Sequence, residues 1–505
     1  MISRPSNSLR RLASLLAFSS ILVGSAQAQT PEQDSDSLYR ETYAIVGAKI
    51  EVGGGKVIDK GNVIVRNGHI VAVGADVAVP DYAFVVKGEG LTVYPGFIDG
   101  YSTKAIKMPD AGPEQDVKQD TGISAPISMR EANRKGIRPE LNAADFLDLS
   151  GVGDDRKAGF ACELVAPSGG VMNGSAALIY TSGRPARESI VLPVFGECIG
   201  FRDPGDGYPA TPLGIMALIR QTFLDAQRAA SPAVMGNLPM SDRSLSALQP
   251  VLKGTMPVFM EADRNFEIAR SLGVADQFNF KPMIVGGLDA YTQINVLKKE
   301  GIPVMLALNY APEPNPKKPA SDKPAGDKPA GDKPAVGTPP SDAGANGPFK
   351  KTEDAEDVPP DVLSERQTKW LDRVKSAKVL HDQGVLFAFA SRGTRNRDEF
   401  WKNVRRVISE GLDRQVALDA LTINPAKIFG VSKDLGTVEK GKIANLTIMD
   451  GDFAKDGTAV KYMIVGGRFF DLSKDKAVAP PPFRRRGFID DGKERQDGDG
   501  VGVGR

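Results

Sequence analysis

Asp99 is the first residue whose surroundings suggest chemistry. It closes the apolar run Val93-Tyr94-Pro95-Gly96-Phe97-Ile98 and precedes the small polar cluster Gly100-Tyr101-Ser102-Thr103. An apolar run ended by turn-forming residues reads as a buried parallel strand. Side chains just past the C-terminal end of such a strand are where α/β barrels do their chemistry. A carboxylate beside hydroxyls can move protons, or ligate a hard cation such as Ca²⁺ or Mg²⁺.

Other chemistries find little support. The chain has two histidines, His69 and His381. His69 sits beside the turn-forming Asn67-Gly68, and His381 ends a helical stretch ahead of the last barrel strand, so neither lies at a barrel strand end. There is no G-x-S-x-G nucleophile elbow. Gly53 to Gly55 is too short and too sheet-bound for a phosphate loop. The two cysteines, Cys162 and Cys198, suit either a disulfide in an oxidising compartment or two buried small hydrophobes. A net charge of +1 gives no electrostatic footprint for nucleic acid or an anionic membrane. Arg484-Arg485-Arg486 reads as a solvated charge run or a recognition patch.

The elements that would position these groups follow from the rest of the 505 residues. Arg4, Arg10 and Arg11 precede the apolar run Leu12 to Val23, and Ala26-Gln27-Ala28 supplies small residues for cleavage. Residues 1–28 therefore read as a signal peptide; the apolar run is short for a membrane span of ~20 residues. The expected location is the periplasm or outside the cell, after cleavage near Ala28, with no membrane span. Residues 29–40 read as loose. Alternating apolar runs from Tyr43, with Asn67-Gly68 as a two-residue hairpin turn, predict an antiparallel sheet over 41–93. Strands at Ile443 to Met449 and Val460 to Val465 recur at 435–475. Between them, strands alternate with helices, which suits a parallel barrel over 94–434. The stretch Thr211 to Arg228 predicts a helix with Ile215, Leu218, Ile219, Phe223 and Ala226 on one face. Residues 311–360, with the repeat DKPAGDKPAGDKPA, and the tail 476–505 are too poor in apolar residues to offset the entropy of ordering. Both read as disordered.

Three motifs carry a family resemblance. P-G-F-I-D at Pro95 to Asp99, T-x-N-P-A around Asn424-Pro425, and LGTVEKGKIANLTIMDGD from Leu435 resemble the amidohydrolase superfamily, in particular its imidazolonepropionase-like branch. The resemblance implies a TIM (β/α)8 barrel of the metal-dependent-hydrolase kind, an α/β fold, plus a small β-sandwich composed from both chain ends. In this chain Asn445 stands where the closing motif usually has an aspartate.

The same resemblance implies a metal site and shows this chain departing from it. Family members activate water on a metal held mostly by imidazoles at strand ends. The first motif continues A-H-T-H in the family; here those two histidine positions fall on Tyr101 and Thr103. Glu261 aligns with a further histidine, Gly286 with another, and Arg392 with the last-strand aspartate. The candidate catalytic residues are thus Asp99, Glu261 and Arg392, with Tyr101 and Thr103 as substrate-binding positions. No metal ligand set remains: the ancestral zinc site is expected to be lost and no cofactor is expected. An Arg392 guanidinium paired with Glu261 or Asp99 would take the vacated space; an oxygen-ligand cation site is the other arrangement.

Two functions follow. One is an exported, catalytically inactive amidohydrolase-fold protein that binds a small ligand or an active homologous subunit, as a homo- or hetero-oligomer. The other is a hydrolase of non-peptide carbon–nitrogen bonds working by an altered, metal-independent mechanism through Glu261, Asp99 and Arg392.

Overall fold

The computed structural model describes residues 42–109, 136–202, 209, 211–231, 242–314 and 359–473. The signal peptide, the segment 29–40, the insertion from 315 to 358 and the tail 476–505 lie outside the described residues. Among the described residues no helix is long and apolar enough to cross a membrane.

Two eight-stranded sheets make the fold. The first is built from both ends of the chain: β1 (Thr42–Gly53), β2 (Lys56–Arg66), β3 (His69–Gly74), β4 (Phe84–Lys87) and β5 (Thr92–Pro95) join β14 (Leu446–Met449), β15 (Val460–Val465) and β16 (Arg468–Asp471). Asn67 and Gly68, both at positive φ, turn β2 into β3, with Arg66 opposite His69. Its core is aliphatic, with Ile45, Ile50, Val63, Val65, Val93, Leu446, Ile448 and Ile464 packed together.

The second sheet is the barrel: β6 (Phe97–Ser102), β7 (Phe160–Val165), β8 (Met172–Tyr180), β9 (Ile190–Gly200), β10 (Val258–Ala262), β11 (Pro282–Gly286), β12 (Val304–Ala307) and β13 (Phe387–Ala390), adjacent in that order. β13 returns beside β6, where the Arg392 amide donates to the Tyr101 carbonyl at 3.1 Å. The sheet is thereby nearly closed. Alternate side chains face opposite ways, as a barrel wall requires. Phe259, Val285, Met305, Ala388 and Ala390 share the inner cluster. Val258, Met260, Ile284, Val304, Phe387 and Phe389 pack outwards against the helices.

The run read as one strand from Val93 to Ile98 is divided at Gly96. Thr92–Pro95 belongs to the terminal sheet and Phe97–Ser102 to the barrel. A Cβ on Gly96 would lie 2.5 Å from Ala161 Cβ and 3.1 Å from the Asn445 backbone, so the two sheets can meet only at a glycine. Asn445 fastens that junction: it accepts the Gly96 amide on its backbone carbonyl at 2.8 Å and the Gly466 amide on its side chain at 2.6 Å.

One part of the barrel departs from strict strand–helix alternation. β8 runs antiparallel to both β7 and β9, so Pro167 to Gly170 opens a hairpin rather than a crossover. The other neighbours are parallel.

Helices cover the outside. Pro212–Ala229 buries Ile215, Leu218, Ile219, Phe223 and Ala226, with Thr211 accepting from the Gly214 amide as N-cap. Arg397–Ser409, after β13, buries Phe400, Val404 and Val407, and Asn396 caps it.

The possible disulfide is not formed: Cys162 and Cys198 are both free and buried. Cys162 pairs with Tyr180 and Cys198 with Gly174, so β8 stands between their strands. Two inter-strand spacings amount to roughly 10 Å, beyond the ~7 Å that a bridge can span.

Candidate functional site

At the mouth of the barrel three residues from distant parts of the sequence meet. Tyr101 comes from β6, where the pairing with β7 shifts register between Asp99 and Ser102. Its ring packs edge-on against Phe259, with centroids 5.5 Å apart. Glu261 follows Phe259 by two residues on β10 and so points the same way, inwards. Its Oε1 accepts the Tyr101 hydroxyl at 3.0 Å. Arg392, two residues past β13, donates to Glu261 Oε2 from Nη2 at 2.9 Å and from Nε at 3.3 Å. Its third nitrogen, Nη1, reaches Asp263 Oδ2 at 3.1 Å. Half-exposed Arg202 stands 3.9 Å from the same Glu261 oxygen.

These groups are buried, Glu261 to 4 % exposure and Arg392 to 7 %. Burial alone would lower the arginine's pKa, but the Glu261 and Asp263 carboxylates hold it above its usual value. Burial raises the Tyr101 hydroxyl well above the ordinary tyrosine value, and Cys198 and Glu261 add to the shift. Tyr101 is therefore a neutral donor, Arg392 a fixed cation, and both Glu261 oxygens are engaged.

Asp263 fills the adjoining space. Gly286, at φ +100, lies where the next strand ends, and a Cβ there would be 2.1 Å from Asp263 Oδ1 and 3.3 Å from Arg392 Nη1. No larger residue fits at 286 while Asp263 keeps this position.

Of the other candidates, Thr103 lies one residue past β6, partly exposed and outside this network. His69 is in the terminal sheet, its Nδ1 3.0 Å from the Asn67 carbonyl. His381 is in the last turn of the helix Pro360–Asp382. Among the described residues no group of three or more His, Cys, Asp and Glu is arranged to hold a metal ion.

Asp99 belongs to a different cluster, which corrects its grouping with Glu261. Its Oδ1 accepts the Ser391 and Tyr101 amides at 2.9 and 3.2 Å, and its Oδ2 accepts the Ser391 hydroxyl and, at 2.6 Å, Arg397 Nη1. Arg397 also holds Asp155 at 2.6 Å and approaches Glu163 at 3.2 Å, with its guanidinium 4.3 Å over the Phe160 ring. One cation thus faces three buried carboxyl groups. Glu163 pays the desolvation: burial lifts its pKa to about 8, opposed by Arg397 and reinforced by Asp155 and Asp99. The sequence motifs missed Asp263, Arg397, Asp155 and Glu163. Only Asp263, two residues from Glu261, had a local signal.

Comparison with known proteins agrees with this architecture. Residues 362–470 match the family model described as the amidohydrolase family. The chain resembles the adenine deaminase of Moorella thermoacetica at 42 % identity over 65 residues, 13 % of this chain and 10 % of that protein. It resembles the urease subunit alpha of Haloquadratum walsbyi at 28 % identity over 130 residues, 22 % of each. The chain therefore spans between a tenth and about a fifth of the length of these curated relatives. The crystal structure of an amidohydrolase from Thermotoga maritima superposes with a TM-score of 0.63 at 19 % identity, over 85 % of this chain and 99 % of that one. That likeness shows the fold: an amidohydrolase barrel with an added sheet from the chain ends.

Proposed function

We propose that this chain is an exported member of the imidazolonepropionase-like amidohydrolases that has lost its metal ligands and works by binding, with an active subunit of the same fold as its partner. One observation carries the reading. Positions to which the family resemblance assigns metal-site residues carry instead a connected network, Tyr101–Glu261–Arg392, extended by Asp263 and built over Gly286, which admits no side chain. A fixed guanidinium 2.9 Å from the carboxylate repels a cation, and both Glu261 oxygens and Asp263 Oδ2 are committed to Arg392 or Tyr101, leaving Asp263 Oδ1 as the one buried oxygen of the network without a partner.

The donor chemistry does not fit a zinc site of the usual kind, which draws on imidazole or thiolate. Neither histidine is at the mouth, and burial pushes the Cys198 thiol well above its ordinary value, against metal binding. The altered-mechanism hydrolase is less well supported, because Asp99 is tied to Arg397 and both Glu261 oxygens are taken.

The experiment is to isolate the protein from its native envelope and weigh the complex it forms. A complex containing a same-fold hydrolase supports the reading. A lone monomer that hydrolyses amides, and stops doing so on Glu261→Gln, would defeat it.

A further inference from the structure

A cleft of about 1000 Å³ opens on the flank of the barrel, and none of Tyr101, Glu261 and Arg392 lines it. The segment leading into β7 brings Asp154 and Asp155 to it; the segment after β13 brings Arg395 and Arg397. Lys104, just past β6, adds a third cation, and Trp401 an apolar surface.

Three of these charges have no partner among the described residues. The side chains of Asp154, Arg395 and Lys104 are exposed and make no hydrogen bond or ion pair with any described residue. Arg397 is 7 % exposed, yet its Nη2 makes no hydrogen bond, although Glu163 Oε2 is 3.2 Å away. Lys157 and Asp398 also line the cleft. Lys157 has an interaction of its own and is not free. Asp398 lies in the first turn of the helix Arg397–Ser409, where the helix dipole favours an anion.

We propose that this cleft binds a short zwitterionic peptide. The ammonium end lies against Asp154, and the carboxylate end lies against Arg395 and Lys104. A simple anion would face Asp154 and a simple cation would face Arg395 and Lys104, each at a cost in like-charge repulsion. A ligand with one charge of each sign at its two ends matches both. The volume is at the upper end of that of small-ligand sites, roughly 300–1000 Å³. The proposal stands whether or not the barrel mouth turns over any substrate.

The test uses Trp401, one of two tryptophans in the chain, as an intrinsic fluorescence probe. The purified protein is titrated with alanyl-leucyl-alanine, and with the same tripeptide N-acetylated, C-amidated, or both. The expected result is saturable binding that weakens about tenfold, or ~1.4 kcal/mol, when either end is capped. Asp154→Asn should lose the preference for a free amino end, and Arg395→Gln the preference for a free carboxylate. Both positions are exposed, so the fold should be kept. No saturable binding at about 1 mM peptide overturns the proposal. So does equal binding of the doubly capped peptide, or unchanged selectivity in both variants.

Discussion

Arg392 and Asp263 meet directly over Gly286. The guanidinium Nη1 lies 3.1 Å from Asp263 Oδ2, while Asp263 Oδ1 takes the place of any Cβ at 286. The arginine past one strand end and the glycine at another are thus coupled through Asp263. A residue with a side chain at 286 would displace Asp263, and displacing Asp263 would leave Arg392 with one carboxylate fewer.

Gly286→Ala should therefore destabilise the protein by more than the ordinary cost of a helix or strand glycine. The positive φ alone costs an L-residue about 1–2 kcal/mol, and the contact with Asp263 adds to it. Asp263→Ala in the same chain should recover the contact part but leave the backbone strain. Urea unfolding of the two variants measures this; equal loss in both would place the clash elsewhere.

Arg392→Met should strand Glu261 as a buried charge. Removing one partner of a buried pair typically costs about 3–5 kcal/mol, whereas replacing both by neutral groups is far milder. The double variant Arg392→Met with Glu261→Gln should thus be more stable than Arg392→Met alone. A double-mutant cycle by denaturant unfolding reads the coupling, and additive losses would show the pair to be energetically idle.

Glu163 should make the stability fall with rising pH between about 4.5 and 8. Its pKa is about 8 when folded, because burial and the neighbouring Asp155 and Asp99 oppose its charge, against the ordinary 4.5 when unfolded. Between these values the folded state holds a proton that the unfolded state has released. The contribution is complete below about pH 4.5 and is lost as pH rises through 8. Thermal melting from pH 5 to 9 should show a fall in stability that Glu163→Gln reduces. A steeper fall in the variant would reverse the assignment.

Cys162 and Cys198 should remain free even in an oxidising compartment, since β8 separates their strands. Thiol titration of denatured, unreduced protein should find two thiols per chain, and finding none would contradict the strand order.

Much of the architecture was legible because it rests on local signals. Asn67-Gly68 forces its hairpin, and the stripe Ile215, Leu218, Ile219, Phe223 forces its helix. β8 was not legible: Met172–Tyr180 is buried on both faces almost throughout, so no alternation marks it as a strand of reversed direction. The site was legible in part. Glu261 and Arg392 stand at strand ends and do pair, as one reading anticipated. Asp99 was the right kind of residue with the wrong partner, because the side chain that claims it, Arg397, is 298 residues away and carries no motif. Ion pairs of that separation leave no local pattern for a sequence to display.

The measurement that bears most directly on the central claim is the metal content of the protein, purified without added metal and again after incubation with Zn²⁺. A mouth closed by Arg392, Glu261 and Asp263 predicts transition metal far below one equivalent in both preparations, and no change in thermal stability with zinc. One zinc per chain that survives dialysis, and is lost on Glu261→Ala, would contradict it.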